Sequence, residues 1–141
     1  MHQQIAIRTF GAPRVLSLET HETRPPAADE VTVDVKYSGI NFADLQMRLG
    51  FYPDAPKRPF VPGYEISGHI TAVGPDVSGV AVGDPVIAGT FFGGYASKVT
   101  LPASQVFPLP SSIDLESGAV EILDSGAEAG HGSQEERPSA A

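Results

Sequence analysis

Glycine and proline are so frequent in this chain that a fold built from long helices is excluded. The 141 residues include 15 glycines and 13 prolines, about a fifth of the sequence, against roughly an eighth in average proteins. Proline removes a backbone donor and glycine favours turns, so both shorten regular elements. The sequence therefore predicts many turns and short strands.

Two segments alternate between apolar and polar residues, as half-buried strands do. In residues 30–40 the side chains predicted to share one face are Val31, Val33, Val35 and Tyr37. In residues 64–73 the corresponding set is Ile66, Gly68, Ile70 and Ala72. Shorter strands are predicted at residues 3–9, 15–19, 95–101 and 105–109, and a turn followed by a strand at 82–87.

One short helix is predicted between these strands. Phe42, Leu45 and Leu49 recur at helical spacing, Asn41 can cap the first turn, and Gly50 ends the run. The following residues 51–63 hold four prolines, which exclude a helix or a central strand there. Many short strands with one or two short helices predict a mainly β fold, a partly open β-barrel.

The distribution of charge divides the chain into two parts. Residues 1–119 carry the strand and helix patterns and are predicted to form one domain. After residues 114–117 the apolar periodicity stops, although residues 117–123 could still form one or two helical turns. Residues 116–141 contain six acidic side chains and one arginine. Residues 120–141 are therefore predicted to be an acidic, disordered tail.

Composition excludes several classes of function. The chain has no cysteine, which removes disulfides, catalytic thiols and thiolate zinc sites. Its formal charge of −8 disfavours nucleic-acid binding, which needs clustered basic side chains. The sequence shows neither an apolar run long enough to span a membrane nor a signal-peptide pattern, so no membrane association and a cytoplasmic location are expected.

Four short motifs in register carry a family resemblance. They are Tyr37–Asp44, Pro62–Gly68, Val82-Gly83-Asp84 and Gly93–Ala96. In this order and spacing the chain resembles the N-terminal GroES-like (alcohol dehydrogenase-like) domain of the medium-chain dehydrogenase/reductase superfamily. The resemblance covers residues 1–119 and is greatest to the zinc-free quinone oxidoreductase branch, which includes zeta-crystallin.

The resemblance implies a metal-free site. In zinc-dependent relatives the positions of Asn41 and Tyr64 hold zinc-binding cysteine and histidine. Asparagine and tyrosine are poor zinc ligands, so no metal is expected. In zinc-free relatives hydrogen-bond donors polarise the substrate carbonyl instead. The resemblance therefore implies an oxidoreductase that acts on a small apolar carbonyl compound, a quinone or an enone.

The side chains expected to bind that substrate are Asn41, Phe42, Tyr52 and Tyr64. Asn41 supplies amide donors, and the two tyrosines supply phenolic donors and an aromatic wall. A purely structural role is also open for each: Asn41 as a helix cap and Tyr52 as a loop anchor.

Asp44 is the second candidate catalytic residue beside Asn41. An ion pair between Asp44 and Arg48, four residues apart on the helix, is the structural alternative. For Glu65 and Arg48 a structural role is preferred.

The resemblance also implies NADPH, held in complete superfamily members by a Rossmann domain that continues from the position of Ala119. Only 22 residues follow Ala119 here, and a βαβαβ half needs roughly 60. The expectation is that this chain alone binds no cofactor and does not transfer hydride.

Three hypotheses follow for its function. The first is the substrate-side domain of an NADPH-dependent quinone or enone reductase, truncated or completed by a Rossmann-type partner chain. The second is a cofactor-free acid–base catalyst of the cyclase or isomerase type, and the third a non-catalytic binding module. An uncovered strand edge or apolar surface predicts a homodimer or another partner.

Overall fold

Two antiparallel sheets form the fold in the computed structural model, which describes residues 1–119. β1 (His2–Ile7) and β2 (Leu16–His21) form a hairpin. The larger sheet has the order β6-β3-β4-β5-β7 and consists of β3 (Glu30–Ser38), β4 (Glu65–Val73), β5 (Pro85–Gly89), β6 (Lys98–Pro102) and β7 (Val106–Pro108). Neither sheet closes on itself, so the predicted mainly β, partly open barrel is confirmed. The tail predicted for residues 120–141 lies outside the described residues.

The main core lies on one side of the β3–β4 pair. Its buried members are aliphatic: Val31, Val33, Ile66, Ile70, Val86, Ala88, Leu101 and Val106. The predicted alternation holds only in the second half of β4, because Glu65 and Ser67 in the first half are buried as well. It fails in β3, where Thr32 is buried and Tyr37 is 45% exposed. The reason is that the β3–β4 register shifts between Thr32 and Val33 and again between Val35 and Tyr37, and each shift changes the face to which later side chains point.

The helix between β3 and β4, α1 (Phe42–Leu49), has the predicted bounds. Asn41 precedes it in extended conformation, and Gly50 ends it with a φ of +88°. The face that packs inward carries Asp44 and Met47. Phe42, by contrast, is 71% exposed, and the apolar series it begins, with Leu45 and Leu49, lies on the solvent side.

A second, smaller cluster packs α1 against the proline-containing segment 51–63. This segment contains no helix and no strand. We call it the satellite core. Its buried members are Ile7, Met47 and Phe60, with Ala43, Tyr52, Ala55, Tyr64 and Phe92 packed around them. A β-bridge between Ile7 and Phe60 joins the end of β1 to this segment. Within residues 1–119 no helix has the length and apolarity to cross a membrane.

Gly68 allows β4 to approach β3 closely. A Cβ at this position would overlap the carbonyl oxygen of Asp34 on the paired strand. Because both atoms belong to main chain in the centre of the sheet, a rotamer change cannot relieve the overlap. The predicted role of Gly68 in close backbone approach is confirmed.

We expect Gly68→Ala to lower the free energy of unfolding by about 3 kcal/mol or more, because the two strands must separate to admit the methyl group. Gly79→Ala is the control, since open space surrounds that glycine and only its φ of +89° opposes a side chain, which costs about 1 kcal/mol. Urea denaturation measures both values. Equal losses in the two variants would contradict the assignment.

Candidate functional site

The start of α1 is held by side-chain hydrogen bonds on both sides of Asn41. The main-chain N–H of Asn41 donates to Oδ2 of Asp44 at 3.0 Å, a reciprocal contact that secures the first turn. Its side-chain Nδ2 donates to Oε2 of Glu65 at 3.1 Å. One hydrogen of the Asn41 amide is thus engaged, and the second remains as a donor.

Glu65 is a structural element of this arrangement. It is 1% exposed at the start of β4, and its main-chain oxygen accepts the N–H of Gly39 at 3.0 Å. A Cβ on Gly39 would lie 2.5 Å from Oε2 of Glu65, so only glycine lets the carboxylate reach this position. These contacts fix the position of the Glu65 carboxylate and, through it, that of the Asn41 side-chain amide.

Asp44 is a buried carboxylate, 6% exposed, that points away from solvent. Oδ2 accepts the Asn41 N–H and also the hydroxyl of Tyr95, at 2.8 Å. Oδ1 has no hydrogen-bond partner among residues 1–119. A carboxylate with this burial acts strongly on nearby groups, because little water screens its charge.

The ion pair considered for Asp44 and Arg48 does not form. Arg48 instead donates to the carbonyl oxygen of Gly11, at 2.8 Å, and the ion pairs of the described residues do not include it. The reason is that Asp44 lies on the inward face of α1, whereas Arg48 reaches the segment that follows β1. The structural role preferred for Arg48 is therefore a contact with that segment.

Tyr52 and Tyr64 meet in the satellite core, and their hydroxyls are hydrogen-bonded to each other. The rings lie edge to face, with centroids 6.3 Å apart. Phe92 packs on both, at 6.4 Å from Tyr52 and 6.5 Å from Tyr64, and Phe91 packs on Tyr64 at 6.3 Å. In such a pair one phenol donates to the other, so one phenolic hydrogen stays available for a ligand.

Tyr64 and Tyr95, which are both half-buried, stay protonated across the ordinary pH range. Burial raises the pKa of Tyr64, and the hydrogen bond with Tyr52 and the charges of Tyr52, Asp44 and Asp54 raise it further. Burial likewise raises the pKa of Tyr95, with the hydrogen bond to Asp44 as the next cause. Ionising either tyrosine would place a second negative charge near Asp44. The site therefore offers neutral hydrogen-bond donors.

Sequence reasoning missed three residues of this site. Tyr95 lies in the motif Gly93–Ala96, but its contact with Asp44 is visible only in three dimensions. Phe91 and Phe92 follow β5 and complete the aromatic wall. Phe91 has a φ of +62° and an exposed side chain, a strained backbone of the kind that clusters at functional sites. Two adjacent phenylalanines before a Gly-Gly turn were the available signal.

Of the predicted residues, the structure brings Asn41, Asp44, Tyr52 and Tyr64 together, whereas Phe42 faces solvent at the start of α1. Among residues 1–119, no group of three or more histidine and acidic side chains is placed to hold a metal. All strand pairs of these residues are antiparallel. They therefore do not fit a dinucleotide, which binds at the crevice of a parallel βαβ unit.

Comparison with known proteins gives consistent matches. Residues 27–111 match the alcohol dehydrogenase GroES-like domain family. The quinone oxidoreductase of Lama guanicoe is 36% identical over 117 residues, which are 82% of this chain and 36% of the relative.

Solved structures agree with that match. The Escherichia coli quinone oxidoreductase complexed with NADPH superposes with a TM-score of 0.78 at 32% identity, over 84% of this chain and 36% of that one. The enoyl reductase CurK superposes with a TM-score of 0.80 at 26% identity, over 92% of this chain and 42% of that one. The chain thus spans less than half of the length of each of these three relatives.

We expect Tyr95→Phe to lower the free energy of unfolding by about 1–3 kcal/mol at pH 7, because a buried carboxylate loses a donor. Urea denaturation measures the change. Tyr37→Phe is the control: Tyr37 is largely exposed, and its replacement should change stability by less than about 0.5 kcal/mol.

The same variant should alter the pH dependence. A raised tyrosine pKa means that the native state keeps a proton which the unfolded state releases above about pH 10. The stability of the native chain therefore falls as the pH rises through this range, and Tyr95→Phe should make the fall shallower. An unchanged alkaline slope would contradict the burial of this phenol beside Asp44.

Proposed function

The chain belongs to the alcohol dehydrogenase GroES-like domain family, in its quinone oxidoreductase-like branch, and from this we propose that it binds the carbonyl of a quinone or enone for reduction. The observation that carries the proposal is the hydrogen-bonded pair of Tyr52 and Tyr64, which keeps one phenolic hydrogen for a ligand among the rings of Phe91 and Phe92. Developing negative charge on a carbonyl oxygen is stabilised by such fixed, neutral donors.

The tyrosine pair suits a flat, apolar substrate. The ring edges of Tyr52 and Phe92 and the exposed face of Phe91 provide apolar area against which a quinone ring can stack. The second hydrogen of the Asn41 amide provides another donor. In this proposal Asn41 and the tyrosines contact the carbonyl, and Asp44 positions them; direct proton transfer by Asp44 stays a prediction.

The reductant in this proposal is NADPH, which is bound by the E. coli relative in its solved structure. Residues 1–119 do not fit that cofactor, so a nucleotide-binding domain outside them would supply the hydride. The described residues bind and orient the carbonyl, exclude water through the aromatic wall, and keep the phenolic proton in place. No metal takes part, since Asn41 and Tyr64 make poor zinc ligands.

We expect the 141-residue chain to bind 1,4-naphthoquinone, measured by quenching of tyrosine fluorescence, which tryptophan does not obscure because the chain has none. The double substitution Tyr52→Phe and Tyr64→Phe should weaken binding about tenfold, the value of one net hydrogen bond. Tyr37→Phe should leave the affinity unchanged. Equal affinity of all three proteins would contradict the site, provided that thermal unfolding shows each of them folded.

A partner surface is the second part of the proposal. The outward face of α1 and its flanks expose five large apolar side chains: Ile40, Phe42, Leu45, Leu49 and Phe51. Apolar area of this kind marks protein contacts, and we propose that a nucleotide-binding domain or a second copy of the chain covers it.

Light scattering should show self-association of the chain. The double substitution Phe42→Ser and Leu45→Ser should reduce this self-association. A monomer at every concentration, with no binding of apolar dyes, would contradict it.

A further inference from the structure

A cleft with three cationic side chains lies next to the satellite core, in a chain that is acidic overall. Its volume is about 620 Å³, and it lies between the end of β1 and the segment after Tyr52. The lining residues are Arg8, Phe10, Ala55, Pro56, Lys57 and Arg58. Eight of the nine basic residues lie within residues 1–119, so three of eight share this one cleft.

Most of this positive charge is not neutralised. Arg8 donates through Nε to Glu19, and that contact, with a second one from His21, lowers the pKa of Glu19 to about 2, so the pair stays ionised at neutral pH. The ion pairs of residues 1–119 include neither Lys57 nor Arg58. The lining side chains and Glu19 together therefore carry a net charge of +2.

The two arginines of the cleft keep N–H donors that are available to an anion. Arg58 stacks over the ring of Phe10, with its central carbon 4.2 Å from the ring centroid. Stacking holds the guanidinium plane while its N–H groups remain free to bind an anion. Arg8 uses only Nε for Glu19, so its two terminal nitrogens are also available. Two guanidinium groups with a lysine form a donor set suited to an oxyanion.

The cleft adjoins the tyrosine pair. The N–H of Ala55, a lining residue, donates to the carbonyl oxygen of Tyr52 at 3.2 Å, and both residues pack on the satellite core. The one carboxylate in this turn is Asp54. It does not line the cleft.

We infer that the cleft of Arg8, Lys57 and Arg58 binds the phosphate group of a substrate whose carbonyl end lies against Tyr52 and Tyr64. A phosphate ester with a charge near −2 matches the net charge of the cleft. The cleft volume exceeds that of one phosphate, so part of the connecting chain fits as well. The placement of the carbonyl end rests on the proposed function, whereas the phosphate contact depends only on the cleft.

The phosphate contact is tested by titrating the 141-residue chain with inorganic phosphate at constant ionic strength. Amide NMR shifts should change at residues 8–10 and 55–58. Lys57→Gln should raise the Kd at least threefold, and Lys57→Gln with Arg58→Gln at least tenfold. Lys98→Gln is the matched control, because it removes the same charge from β6, outside the cleft, and should not change the Kd.

The connection to the tyrosine site is tested with two anthraquinones that differ in one group. Anthraquinone-2-sulfonate carries a tetrahedral oxyanion, and 2-(hydroxymethyl)anthraquinone is neutral. The sulfonate should bind at least fivefold more tightly to the native chain and to Lys98→Gln, and this preference should disappear in Lys57→Gln with Arg58→Gln.

The outcomes separate this inference from the proposed function. Absence of phosphate-induced shifts at the cleft, or equal Kd values for Lys57→Gln and Lys98→Gln, overturns the phosphate site, even if neutral quinones bind. Phosphate binding without a preference for the sulfonate overturns the link to the substrate. Phosphate binding together with no binding of any quinone supports the cleft and contradicts the tyrosine site. Lys57 makes no hydrogen bond or ion pair within residues 1–119, so its single variant should fold even if the double variant does not.

Discussion

The buried carboxylate of Asp44 connects the start of α1 to a segment far from it in sequence. Its Oδ2 accepts the Asn41 N–H at the start of α1 and the hydroxyl of Tyr95, 51 residues away. Its charge also acts on Tyr64, at the entrance to β4. A charge removed from water is tolerated only when donors surround it. The hydrogen bonds that stabilise Asp44 therefore fix the positions of Asn41 and Tyr95.

The domain has two hydrophobic cores, and each supports a different part of the structure. The aliphatic core between β3, β4 and β5 sets the fold, and the side chains of its members are all apolar. The satellite core is aromatic at its edge, and through Met47 and Phe60 it holds α1 against the proline-containing segment. That packing places Tyr52 next to the cationic cleft, whose lining residue Ala55 donates its N–H to the Tyr52 carbonyl oxygen. One element thus supports both a neutral, apolar surface and a charged one.

Local signals in the sequence were enough to predict most of the fold. Alternating residues located β3 and β4, and Asn41 and Gly50 gave both ends of α1, because these patterns act within a few residues. The orientation of Tyr37 could not be predicted in this way, since the two register shifts in β3 depend on the pairing with β4. The ion pair considered between Asp44 and Arg48 does not form for a related reason: spacing on a helix does not tell which face is buried. The contact between Asp44 and Tyr95 has no local signature at all.

Infrared difference spectroscopy of 1,4-naphthoquinone bound to the 141-residue chain tests most directly whether neutral phenols and an amide hold a carbonyl. Hydrogen bonding to a carbonyl oxygen weakens the C=O bond and lowers its stretching frequency. The account predicts a bound frequency below that of the same quinone in hexane, with most of the difference lost when Tyr52 and Tyr64 are both phenylalanine. A native complex with the frequency found in hexane would show that the quinone meets no donor, and would contradict the account.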